Sequence, residues 1–294
     1  SMWLRRRNAT IVSHLLAMSA RNNARNPSRS MLSAALVCCA CFIIVAVGAN
    51  RHELGDEIFS KDSGTGGFAL LAQTDTPLYH NLASAAGRAV LGFAEEDSVL
   101  FYQTKIYPAR LLPGEDASCL NLYQPQKPRV LGVTHEQITR GGFLFQATTQ
   151  DSVQNPWMLL ETELEPNVIP ALGDFNSVQW ILHLGLGKDI VMPNERGEEI
   201  KLRFVGLLQS SVLQSEVLIS EENFLKHFPS QSGYSFFLIE AQPDSAARLS
   251  QVLESTLRRF GFDATSTREK LARFQAVENT YLSVFQTLGG LGLL

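Results

Sequence analysis

Between Met31 and Ala49 the chain has no charge of either sign, and it has no acid anywhere before Glu53. Cysteine is scarce. Cys38, Cys39 and Cys41 fall inside the uncharged run, and Cys119 stands alone in the rest. That supply excludes a disulfide framework and any zinc-binding spacing. In a domain outside the cell interior, Cys119 reads as a small buried hydrophobe. The chain also lacks G-x-x-x-x-G-K-[ST], H-E-x-x-H and G-x-S-x-G. Gly185-Leu186-Gly187-Lys188-Asp189 comes nearest to a phosphate loop. It is too short and has no hydroxyl for Mg²⁺, so it reads as a helix end followed by a strand, and ATP hydrolysis by this chain is not expected.

The six histidines, His14, His52, His80, His135, His183 and His227, are scattered and hold no metal spacing. Asp174, Ser177 and His183 can be drawn as a triad, but no motif or orienting spacing supports it. Glu161, Glu163 and Glu165 read as a solvated acidic face. No catalytic, metal-ligating or cofactor-binding residue is assigned, and the chain is read as non-catalytic.

Charge is unevenly spread. The net charge of −4 gives no reason to expect a nucleic-acid partner. The first 50 residues hold Arg5, Arg6, Arg7, Arg21, Arg25 and Arg29, while all 29 acids come later. Such a split suits two different surroundings. At 1.5 Å per residue, the uncharged Met31–Ala49 stretch covers about 30 Å of hydrocarbon as a helix, which satisfies its own backbone hydrogen bonds there. The arginines before it place residues 1–30 in the cytoplasm and residue 51 onward outside. A buried core helix of this length would have a polar face, and a signal peptide would have a shorter apolar core. The last stretch, Tyr281–Leu294, is also uncharged, and its three glycines suit a membrane helix better than an isolated soluble one. The expected division is a cytoplasmic basic segment at 1–30, a span at 31–50, an extracytoplasmic domain at 51–280 with a subdivision near 150, and the start of a second span at 281–294.

The middle reads as α+β. Residues 51–66 are expected to be a polar linker. Strands are expected at 67–73, 99–107, 129–133, 168–172, 189–192, 200–204, 216–219 and 234–240, with a short edge strand at 262–265. Helices are expected at 81–88, 134–140, from an Asp174 cap to His183, after Ser220, and at 244–260, where Gly261 ends the last. A further helix starts at Thr267, with Leu271, Phe274, Tyr281, Phe285 and Leu288 near heptad spacing, and runs unbroken into the apolar end.

Before the first apolar run, Arg21, Arg25 and Arg29 recur every four residues along one side of a helix, and Ile11, Leu15, Leu16 and Met18 supply an apolar side. Such a helix lies in the inner headgroup layer with its basic side toward anionic lipid. A plain topogenic charge cluster is the simpler reading of the same residues. Pro27 marks the turn into the span.

Arg21-Asn22, Arg25-Asn26-Pro27 and Arg29-Ser30 resemble the R-N-x-x-R-N-P-x-R-S-like start of FtsX/MacB-type ABC transporter permeases. Leu184-Gly185-Leu186-Gly187-Lys188-Asp189 and Val205-Gly206-Leu207-Leu208 resemble a part of their ectodomain, with Lys188 where a glycine is usual. The resemblance implies an α+β MacB-like periplasmic core of two subdomains flanked by transmembrane helices in a bacterial inner membrane. It implies a permease that binds no cofactor, partnered by a separate ABC ATP-binding subunit carrying ATP and Mg²⁺, by a second permease copy or half, by the lipid bilayer, and by an unknown periplasmic substrate or protein. Arg21, Arg25, Pro27 and Arg29 would couple to the membrane. Leu271, Phe274, Val277 and Tyr281 would lie on the helix that passes force. The rivals are a membrane-bound sensory receptor with an extracytoplasmic ligand-binding domain, and a membrane-anchored enzyme.

Overall fold

The computed structural model describes residues 27–49, 56–115, 127–150, 153–214 and 216–291. The chain divides into two compact units, one made of Ser1–Glu53 with Ala276–Leu294, the other of Leu54–Gln275.

In the first unit, helix α1 runs Pro27–Ala49. Proline suits the opening turn, where its missing N–H has no intrahelical partner to lose. Met31, Leu32, Leu36, Phe42 and Val45 are all exposed. The described side chains of α1 run unbroken from Ser30 to Ala46. Among the described residues, no helix is long and apolar enough to cross a membrane.

The second unit is built on one ten-stranded mixed sheet. Its strands are β1 (Leu70–Leu78), β2 (Lys105–Leu112), β3 (Arg129–Val133), β4 (Phe145–Thr148), β5 (Val168–Asp174), β6 (Asp189–Pro193), β7 (Glu199–Leu208), β8 (Glu216–Ser220), β9 (Tyr234–Glu240) and β10 (Asp263–Ser266). The order is β10-β1-β9-β2-β3-β8-β5-β7-β4, with β6 also on β7. The β3–β8 and β5–β7 pairs are parallel, and the rest of the ladder is antiparallel. Strands covered on both faces carry continuous apolar runs, as in Val217, Leu218 and Ile219 of β8, a strand in which every residue is buried. β7 shows both regimes. Glu199, Ile200, Lys201 and Leu202 alternate exposed and buried, and Phe204 to Leu208 are buried throughout.

Among the described residues, six α-helices accompany the sheet: α2 (Ala85–Leu91), α3 (Ser98–Phe101), α4 (His135–Arg140), α5 (Glu221–His227), α6 (Pro243–Thr256) and α7 (Thr267–Leu291). The division between the two units falls inside α7. Ser84 caps α2 by accepting from Gly87 N, and Ser220 caps α5 by accepting from Asn223 N. Helix α6 buries Leu249 and Leu253 with Leu70, Phe237 and Ile239. A central cluster joins Phe68, Trp157, Leu172, Leu218 and Phe236 to Leu271 and Phe274 of α7. A third surrounds Phe204, Ile219 and Phe224.

The α+β expectation agrees with this architecture, while several local expectations need correction. Residues 56–66 are no solvated linker, because Ile58 and Thr65 are buried in the domain. The strand expected at 99–107 is split. Glu95, Glu96 and Asp97 sit in the turn preceding α3, where carboxylates favour a helix start, and the strand begins only at Lys105. The helix expected from the Asp174 cap to His183 is present but shorter, α-helical at Phe175 and Asn176 and a π-turn over Ser177–Ile181, and the helix expected to reach Phe260 stops at Thr256 before a 3₁₀ turn. The polar stretch near residue 150 marks no break in the sheet: β4, just before it, pairs with β7.

Candidate functional site

Leu70 of β1 pairs with Ser266 of β10, so the segment that begins the domain lies beside the segment that ends it. Thr267, the first residue of α7, is fully buried. Its hydroxyl donates to Phe68 O at 2.5 Å, and its N–H donates to Ala69 O at 3.1 Å. One turn later Leu271 enters the central cluster, and Phe274 follows it. The base of α7 is therefore fastened to the start of β1 by backbone hydrogen bonds and by apolar packing.

Two further groups hold this seat. Arg140, at the end of α4, donates to Gly66 O at 2.8 Å, to Gly141 O at 2.7 Å and to the Glu240 carboxylate. Its guanidinium lies 4.0 Å from the Phe68 ring centre, near enough for a cation–π contribution. One arginine thus joins the beginning of the domain to β9. Phe143 fits against Gly66, where a Cβ would come 2.4 Å from the Phe143 ring.

The second group is the segment 208–214. Val212 N donates to Gly64 O at 2.9 Å. Gly64 sits in a narrow gap, where a Cβ would come within 2.4 Å of Ser210 O and 3.3 Å of Leu271 Cδ2. Gly64→Ala is therefore expected to destabilise the domain by about 1–3 kcal/mol through overpacking, visible as a lower thermal midpoint. An unchanged midpoint would mean that the gap yields without strain.

The 208–214 segment is also tied to Asp174, at the end of β5. Ser211 N donates to Asp174 Oδ2 at 2.6 Å, and Asn176 N donates to Oδ1 at 3.0 Å. Asp174 is fully buried. Burial pushes its carboxyl up from 3.8 to about 6, against the opposing pull of the hydrogen bonds from Ser211, Asn176 and Ser177. The folded protein thus holds a proton that the unfolded chain gives up. This contribution to stability is fully present below pH 3.8 and is lost as pH rises through about 6. At about 1.4 kcal/mol per unit it amounts to about 3 kcal/mol. Urea unfolding at pH 4 and pH 7.5 should show that loss, and Asp174→Asn should flatten the profile in this window. Asp189 acts in the opposite sense at lower pH, because its hydrogen bonds from Arg203 hold its carboxyl below the ordinary value.

The sequence-derived residues divide three ways. Leu271 and Phe274 come together in the core. Val277 is half-buried on α7, past the division between the units, and Tyr281 lies on the same helix with its side chain outside the described residues. Pro27 opens α1, the Arg29 side chain lies outside the described residues, and so do Arg21 and Arg25 altogether. Asp174, Ser177 and His183 make no triad. The Ser177 hydroxyl donates to Gln214 O, and His183 is exposed. Glu161, Glu163 and Glu165 line a cavity of about 320 Å³ against Glu222, Lys226 and His227 of α5. All three are exposed, as expected of a solvated face, with Glu161 bonded to His135 and Glu165 to Arg203. Sequence reasoning missed Arg140 and Gly64. The run Gly64-Thr65-Gly66-Gly67 was the available signal of a close backbone approach.

No protein-family model and no curated protein matches the chain. Among solved structures it is similar to the periplasmic region of MacB from Actinobacillus actinomycetemcomitans, at 11% identity and a TM-score of 0.35, over 74% of this chain and 95% of that one. It is also similar to the extracellular domain of the noncanonic ABC-type transporter YknZ from Gram-positive bacteria, at 12% identity and a TM-score of 0.31, over 67% of this chain and 99% of that one.

Proposed function

We propose that this chain is part of the permease subunit of an ABC transporter, in which a cytoplasmic ATP-binding subunit drives movement of a domain outside the cell membrane. The observation that carries the reading is the adjacency of the two ends of the domain on β1 and β10. A domain inserted between two membrane helices must return its chain close to where it left. Three sequence features support the same reading. The 19 residues from Met31 to Ala49 carry no charge, and their backbone is helical. Arginines precede them and acids follow, which orients the domain outward. The Arg21-to-Ser30 stretch resembles the membrane-surface segment of such permeases.

In this proposal the whole uncharged run Met31–Ala49, read from its sequence and including the side chains outside the described residues, crosses the inner membrane, α7 leads into a second span, and Arg21, Arg25, Pro27 and Arg29 lie at the inner headgroup layer. ATP and Mg²⁺ bind the partner subunit, two permease copies or halves pair, and the domain opens and closes on a substrate or protein outside. The chain itself catalyses nothing. α7 carries the motion, because an α-helix transmits displacement along its axis and this one is anchored in the core at Leu271 and Phe274.

Two measurements test it. A topology reporter inserted at the exposed Arg196-Gly197 turn should report a location outside the cytosol. An ATP-binding subunit should copurify with the full protein from its native membrane. A cytosolic reporter would sink the proposal, as would purification with a kinase or cyclase in place of an ATPase.

A further inference from the structure

Among the described residues, β6 pairs with β7 alone, so its other side is a bare sheet edge. The hydrogen bonds fix which residues face outward. Lys201 N donates to Asn167 O at 3.0 Å, so Lys201 turns its main-chain groups toward β5. Its neighbours Ile200 and Leu202 therefore turn theirs toward β6, and Phe204 N donates to Lys188 O at 3.0 Å in the same sense. Ile190 lies opposite Leu202, and Met192 opposite Ile200. These even-numbered residues of β6 bond to β7, and Asp189, Val191 and Pro193 face away. Asp189 and Val191 each present an N–H and a C=O on the outer side, and Pro193 presents a C=O only.

Edges of this kind are commonly guarded by charge, proline or a covering element. Here the guard is incomplete. Pro193 stands at one end of the strand only. The Asp189 carboxylate is taken up by Arg203, at 2.7 and 3.0 Å. Val191, at the centre, is an apolar side chain left half exposed.

We infer that β6 pairs antiparallel with β6 of a second copy of this chain, about a two-fold axis at Val191, and so joins two sheets edge to edge. The inference rests on the permease reading for its two copies and names the surface through which their outer domains meet.

The strand is complementary to itself in this arrangement. Val191 faces Val191 of the second copy, and the two exchange a pair of hydrogen bonds. Asp189 faces Pro193 of the second copy, and each Asp189 N–H donates to that proline's carbonyl. The donor that proline lacks falls at the end of the pairing, where water reaches the remaining Asp189 carbonyl. Charge is complementary too. Exposed Lys188 precedes the strand, and exposed Glu198 lies beside its far end, accepting from Asn194 Nδ2 at 2.9 Å. Lys188 and Asn194 project to the same face, since they are an even number of residues apart. An antiparallel copy therefore sets each Lys188 beside the Glu198 of the other. Strands of five residues bury too little surface to hold two free molecules together. Copies already tethered by membrane segments meet at high effective concentration and need no larger contact.

The test is disulfide formation in the native membrane. The full protein carries Val191→Cys, with Cys38, Cys39, Cys41 and Cys119 replaced by alanine. Facing residues of a bonded antiparallel pair have Cα atoms about 5.5 Å apart, within disulfide reach. Mild oxidation should give a product of twice the chain mass, in at least about tenfold greater yield than Val99→Cys, an exposed site on α3 that reports random collision. Lys188→Glu should lower the yield several-fold, and Lys188→Arg should keep it. The inference is overturned if Val191→Cys links no better than Val99→Cys, if its product has the mass of this chain joined to a different protein, or if Lys188→Glu links as well as Lys188→Arg. An ATP-binding subunit that copurifies while Val191→Cys fails to link would leave the permease reading standing and remove this interface alone.

Discussion

If the proposed permease function holds, Val277→Pro is expected to abolish coupling between ATP hydrolysis and the movement of the outer domain while leaving that domain folded. Proline removes one backbone N–H and collides with the carbonyl four residues earlier, at a cost of about 3 kcal/mol or more inside a helix. That carbonyl belongs to Arg273, so the bend falls just after Phe274. Position 277 lies past the division at Gln275, and its side chain belongs to none of the domain's core clusters. In the complete transporter with its ATP-binding subunit, the variant should keep basal ATPase activity and lose transport or release activity. Its domain should melt within a few degrees of wild type. Normal activity in such a variant would remove α7 as the transmitting element. A proline at Phe274 is the poorer experiment, since that residue is nearly fully buried and its replacement would disturb the core as well.

The second large effect is expected of Phe274→Ala. Truncating a buried phenylalanine costs about 3–5 kcal/mol, the sum of lost apolar transfer and the cavity left behind. For a domain of this size the thermal midpoint should fall by roughly 10 °C. Leu271→Ala should fall in the range of about 2–5 kcal/mol. Because the two side chains share one cluster, the double variant should depart from additivity. Losses below about 1 kcal/mol would mean that the base of α7 contributes little to the core, and the helix would then have no firm seat from which to act.

Legibility differed between elements for identifiable reasons. Arg129–Val133 and Tyr234–Glu240 were readable at both ends, because each is a compact apolar run closed by a strong helix or loop signal. Ser220 was readable as a cap because Glu221 and Glu222 suit the first turn after it. The Val99–Tyr107 segment was misread because Val99, Phe101 and Tyr102 are strand formers by propensity. Yet Val99 and Tyr102 are highly exposed, and the chain turns as a helix there. Asp174 looked like a helix cap because aspartate before a polar stretch usually is one. It does accept from Asn176 N at the start of the helical turn, and it is also an acceptor for Ser211, a residue 37 positions away.

What the sequence alone determined is local or cumulative: the helical, uncharged stretch at Met31–Ala49, the mixed α+β character, and an apolar face on α7 containing Leu271 and Phe274. Periodicity and charge act along the chain, so a linear reading captures them. The strand order, the joining of the domain's two ends at β1 and β10, the Arg140 bridge and the tie from Asp174 to the base of α7 were decided only in three dimensions. Each depends on residues tens to hundreds of positions apart being brought within bonding distance, and in such contacts burial and hydrogen-bond completion outweigh any local preference.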